Sequence, residues 1–216
     1  MENPASPLQP VTLPLPDRGR SARFRVGTLE LVLETVRGGT TLLCLDGQQT
    51  RTWSLGLPRN GELRVLCCAP RLPLLVEPRD PLVLAPRGRL RGYVQVPLVP
   101  TIVWQGNACQ ETVAELLPTT LGAEWDETTG GCVQRCSSPF TQKLPPASNT
   151  PRAVVPVVIA NGSDRVQGPV ALPLRVTDRE LRPLRGLAIA APRRLCVGPD
   201  GQVSLRANRR PWEASA

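Results

Sequence analysis

The sequence predicts an all-β or mainly β protein, antiparallel and sandwich-like, with two packed β halves and one short helix. Three observations predict it. Twenty-five prolines are scattered through 216 residues, and each costs a helix interior about 3 kcal/mol. Polar and apolar residues alternate with a period of two over several runs. Turn dipeptides recur between those runs, as in sandwiches and barrels. Aromatic residues make up only 3% of the chain and hydrophobic ones 41%, so the core must be mainly aliphatic.

Residues 1–20 read as a flexible lead with five prolines. An N-terminal β half follows over 21–106. Arg23-Phe24-Arg25-Val26 alternates, and Leu29, Leu31 and Leu33 share one face of the next run. Gly38-Gly39 is a hairpin turn into run 40–45, and Asp46-Gly47 and Asn60-Gly61 are further turn signals leading into runs 50–55 and 62–68, a meander. Proline bounds each run in 74–104, which places those strands at edges or bulges. Residues 92–96 and 101–104 read as a buried pair.

Residues 107–150 read as an acidic loop and helix insertion. The helix is expected over 107–117, with Asn107 as cap, Val113, Leu116 and Leu117 on one face, and Pro118 as stop. Pro145 to Pro151 is the linker candidate. A C-terminal β half spans 151–216, with strands at 153–160, 170–176, 186–191, 194–197 and 202–206. The triplet Asn161-Gly162-Ser163 matches a glycosylation acceptor, but its simpler reading is a turn.

The chain contains no histidine. Ser-His-Asp and Cys-His catalysis and His-based zinc helices are therefore excluded. No phosphate-binding glycine loop or nucleophile elbow is present either. The balance leans away from an enzyme, with no catalytic residue and no cofactor assigned. The seven cysteines follow no regular spacing. Cys132 and Cys136, with Cys109 and one of Cys67, Cys68 or Cys196, are the candidates for a thiolate metal site, although buried free thiols explain them more simply. Residues 1–16 lack the basic and apolar regions of a signal peptide, and no run suits a membrane span. A cytoplasmic protein is expected.

Net charge is +8, carried by 25 arginines and one lysine. Arginine suits phosphate and nucleic acid. Stacking aromatics are not interleaved, however, and the codon bias of a GC-rich genome raises Arg, Ala, Gly and Pro together. Charge is segregated: residues 92–134 hold five acidic groups and no basic one, whereas the remainder holds 26 basic and 13 acidic groups. Glu111, Glu115, Glu124, Trp125, Asp126 and Glu127 are thus the candidates for contact with a protein partner or a second copy. The bland alternative is that they pair with arginines of their own chain. Glu124 and Asp126 are also the carboxylates a hydrolase would need, but they stand too close in sequence to face each other across a cleft. A basic region at Arg179, Arg182, Arg185, Arg193 and Arg194 offers anion binding as a further alternative.

Three stretches together resemble a prokaryotic family known as domain of unknown function four-three-two. They are Val76-Glu77-Pro78 with Pro81 to Pro86 and Gly92 to Leu98; Glu115 to Pro118 with Leu121 to Trp125 and Gly131-Cys132; and Val155 to Ser163. The resemblance covers roughly residues 20–190. It implies a β-rich fold and a prokaryotic origin, and no catalytic residue. The chain departs from the pattern after Trp125, where Asp126-Glu127 stands in place of an aromatic-glycine pair, and again in its C-terminal region. The function expected is a non-enzymatic β-rich binding or accessory module, with a hydrolase or an anion or nucleic-acid binder as alternatives.

Overall fold

Alternation with a period of two is the dominant pattern, and it becomes strands almost everywhere. The computed structural model describes residues 7–27, 29–37, 39–46, 49–56, 61–106, 110–118, 121–126 and 131–206. In chain order the first strands are β1 (Val11–Leu13), β2 (Ser21–Val26), β3 (Leu29–Val36), β4 (Gly39–Asp46), β5 (Gln49–Leu55), β6 (Glu62–Cys68), β7 (Leu74–Pro78), β8 (Arg89–Pro97) and β9 (Val99–Gln105). Next come β10 (Gln110–Glu115), β11 (Gly122–Asp126), β12 (Gly131–Ser138), β13 (Arg152–Asn161) and β14 (Leu172–Leu174). The last are β15 (Arg182–Leu184), β16 (Leu187–Ile189), β17 (Arg193–Val197) and β18 (Val203–Arg206). Among the described residues the sole helical element is a 3₁₀ turn, Asp178–Glu180. The fold is nearly all β. Among the described residues no helix is long and apolar enough to cross a membrane.

Two units form, and each draws on several parts of the chain. The first takes residues 1–68, 98–119 and 148–151; the second takes 69–97, 120–147 and 152–216. This partition differs from a linear division at 106 and 150, because strands distant in sequence pair with one another.

The first unit is a sandwich of two four-stranded antiparallel sheets, ordered β2-β3-β4-β5 and β1-β6-β9-β10. Their inner faces share one buried cluster: Leu29, Leu31 and Leu33 from β3, Leu42 and Cys44 from β4, Leu63 and Val65 from β6, and Ile102 and Trp104 from β9. Fully burying one such aliphatic side chain contributes about 1.5–3 kcal/mol. Three expectations are corrected here. The lead is not wholly flexible, since Val11–Leu13 pairs with β6 and Leu13 is fully buried. Residues 110–115 form a strand on β9, not the expected helix. Residues 92–96 and 101–104 do not pair with each other. β8 pairs with β13, and β9 with β6 and β10. Leu98 alone separates β8 from β9, and one residue is too short for a hairpin turn.

The second unit holds a mixed sheet, β11-β12-β7-β14, and a six-stranded sheet centred on β13. β8 runs antiparallel along one edge of β13, while β16 and β17 share the other edge, both parallel. These and the β7–β12 pair depart from a purely antiparallel arrangement. Parallel pairs need long connections, which the insertions between these strands supply. β13 buries residues on both faces, and Val155 and Ile159 are fully inaccessible. The β17–β18 hairpin closes through Gly201, whose φ of 79° favours glycine.

Asn161 ends β13 and fastens two loops. Its Nδ2 donates to the carbonyls of Leu84 (3.2 Å), Ala85 (2.9 Å) and Arg165 (2.6 Å), and its Oδ1 accepts from the backbone and hydroxyl of Ser163. Arg87 holds the same loops from outside, with Nε and Nη2 on the two oxygens of Asp164 and Nη1 on the Gly162 carbonyl. The glycosylation-like triplet is thus a turn whose asparagine amide is buried and occupied. Replacing Asn161 with alanine leaves buried carbonyls unpaired and should cost about 1–3 kcal/mol. Asp at 161 should cost at least as much, because it sets an acceptor against three carbonyls. Urea midpoints of the two variants against the parent check the order.

Candidate binding groove

Among the described residues the sheets of the first unit end on β2 and β5 in one and on β1 and β10 in the other, and β5 and β10 flank a common groove. It has a volume of about 520 Å³, within the range of small-ligand and peptide sites. Thr52, Trp53, Ser54, Leu55 and Gly56 line one wall, and Trp104, Glu111, Thr112 and Val113 line the other. The pleat explains the placement. Leu55 is buried and Trp53 packs partly on the core, while the alternate residues Thr52 and Ser54 are exposed. Trp104 is 3% exposed, and its indole lies over Gly61. A Cβ at Gly61 would sit 2.4 Å from the ring and 2.6 Å from the Gln105 carbonyl. The glycine therefore makes room for the tryptophan.

The β10 wall is irregular. Thr112 pairs with Val103 and Ala114 with Ile102, so Val113 is an extra residue, a β-bulge. A bulge bends the strand and re-aims its side chains. Val113 packs partly on the core from this position. Glu111 stands opposite Trp104 in the ladder and is exposed. At one end Arg51 spans the walls, its Nη2 donating to the Leu117 carbonyl at 3.2 Å.

The candidates expected from charge fall on two strands of different units. Glu111 and Glu115 lie on β10; Glu124, Trp125 and Asp126 lie on β11. Only Glu111 lines the groove. Glu124 is paired with Arg135, which also holds Glu77, so for Glu124 the within-chain reading applies. Such half-exposed pairs contribute about 0–1 kcal/mol. Trp125 is 65% exposed on edge strand β11, opposite Cys132. Glu124 and Asp126 lie two apart on one strand and not across a cleft. Glu127 and Cys109 lie outside the described residues.

Cys132 and Cys136 do not share a metal site. Four residues along β12 separate their Cα atoms by about 13 Å, whereas two thiolates on one tetrahedral zinc stand about 4 Å apart. Cys132 is exposed and Cys136 buried. Among the described residues no group of three or more Cys, Asp or Glu gathers closely enough to hold a metal. Sequence reasoning passed over Trp53, Trp104 and Val113. The tryptophans were visible as two of only four in the chain, but the bulge had no local signal.

A model of the family described as a protein of unknown function, DUF432, matches residues 13–168, well over half the chain. The chain belongs to this family. No curated protein and no solved structure matches it. In this DUF432 chain the matched span takes in both walls of the groove and the Asn161 turn.

Burial pushes the Cys67 thiol up to about 11, with the Cys68 thiol adding to the effect. Burial likewise pushes Cys136 up to about 11, partly offset by Arg152, while Glu77 raises it further. Both thiols stay protonated at neutral pH. Their native pKa lies above that of an unfolded thiol, about 8.5. The unfolded chain therefore loses these protons first, and stability falls as pH rises from about 8.5 to 11. A disulfide reagent at pH 8 should modify Cys132 within minutes, the partly buried Cys67 more slowly, and Cys136 only after denaturation. Mass mapping of the labelled peptides checks it.

Proposed function

We propose that this DUF432 chain is a non-enzymatic binding module that holds an extended segment of a protein partner in the groove between β5 and β10. One observation carries the reading: two unpaired sheet edges flank a cavity with an aromatic floor. An extended peptide laid there gains main-chain hydrogen bonds from an unfilled edge and side-chain contacts from the pocket. β5 is the accepting edge, because its ladder with β4 is regular throughout whereas the bulge at Val113 interrupts β10. The segment that fits places an apolar residue against Trp53 and Val113 and a basic residue facing Glu111. The prokaryotic cytoplasm is the compartment this reading favours. The cysteines resolved are free thiols, as in a reducing environment.

An array of extended peptides with alternating apolar and basic residues tests the reading. Peptides should bind the parent chain and protect backbone amides of residues 50–56 from hydrogen exchange. Filling the groove through Ser54→Trp or Thr112→Trp, both at exposed positions, should weaken binding at least tenfold without lowering the melting temperature. Binding indifferent to both substitutions, or protection confined to other strands, would refute the assignment.

A further inference from the structure

We infer that the second unit carries a separate binding site for a compact dianionic oxyanion, a phosphate or a phosphomonoester. A groove of about 280 Å³ is lined by Arg175, Thr177, Glu180, Arg193 and Arg194, with Pro192 and Leu205 as an apolar wall. Arg193 is pre-oriented. Its Nη2 donates to the Arg175 carbonyl at 2.6 Å and pairs with the Glu180 carboxylate, and its side chain is only 15% exposed. Glu180 is thereby neutralised. Arg175 and Arg194 are exposed, and neither side chain has a partner among the described residues. The lining thus carries three guanidiniums against one carboxylate.

The surroundings reinforce that excess. Residues 175–194 hold six arginines and two acidic residues. The second acid, Asp178, is turned to the Ala69 amide, from which it accepts a hydrogen bond at 2.5 Å. A bound dianion meets the planar, two-pronged geometry that guanidinium presents to phosphate. Thr177 adds a hydroxyl donor. Pro192 and Leu205 give the organic part of a monoester a surface to cover.

This site lies wholly within the second unit and does not depend on the peptide groove, so the two assignments succeed or fail independently. Calorimetric titration of the full chain with inorganic phosphate, phenyl phosphate and a short DNA duplex, at low and raised salt, tests it. Phosphate and phenyl phosphate should both bind, and Arg175→Gln and Arg194→Gln should each weaken both by about tenfold or more. Arg25→Gln, an exposed arginine of the first unit, should change nothing. Tighter binding of phenyl phosphate assigns a phosphomonoester; equal binding assigns the free ion. The site is overturned if neither substitution weakens binding, if Arg25→Gln weakens it equally, or if only the duplex binds with a steep salt dependence.

Discussion

Strict two-residue alternation holds the first unit together. Leu29, Leu31 and Leu33 face inward only while β3 keeps its register with β2 and β4. The same register turns Leu42 and Cys44 inward on β4 and Leu55 inward on β5. A slip of one residue in any ladder would exchange every buried side chain of that strand for its solvent-facing neighbours. With an aliphatic core and few aromatics, no single large side chain dominates, so the register is set by many moderate contributions acting together. The groove inherits its geometry from this constraint. Trp53 reaches the floor because it lies two residues from Leu55, and Trp104 because it lies two from Ile102.

The same constraint explains what could be read from the chain. The meander over residues 21–55 was legible because each of its strands alternates and turn residues separate them. The β17–β18 hairpin was legible for the same reason. Residues 62–68 were legible as a strand, but β6 pairs with β1 and β9 instead of continuing the meander from β5. Residues 110–115 were misleading because the bulge at Val113 inserts one residue into the pairing. Val113, Ala114, Leu116 and Leu117 then fall at spacings that imitate one face of a helix. Pairing with β9 overrides that local preference. Val11–Leu13 was obscured by its prolines and by the distance to its partner β6. Of the groove, only Glu111 was singled out from the sequence, through charge segregation. Arg175 and Thr177 meet Arg193 and Arg194 only through folding.

The ionisable groups are compatible with the proposed recognition role. Without imidazole, proton transfer near neutral pH falls to carboxylates and thiols. Cys67 and Cys136 hold their protons to about pH 11 because burial disfavours the thiolate. Glu124, Glu77 and Glu180 are committed to arginines. Arginine, the most abundant charged residue, stays protonated and serves best as a hydrogen-bonding fork.

An unfilled strand edge invites indiscriminate pairing, and folded chains usually blunt it. Here the edges are treated unequally. β2 presents Arg23 and Arg25, both exposed, with Arg23 paired to Glu30. β10 carries a bulge and Glu111. β11 carries Glu124 and Asp126. β5 offers Thr50, Thr52 and Ser54 on its exposed side, and Arg51 reaches away to the Leu117 carbonyl. Its outer edge is long, regular and without an exposed charge at these positions. The guarded β10 lines the opposite wall of the same groove. That asymmetry is what a selective strand-accepting edge requires: one side open to hydrogen bonding, the other shaped to refuse it.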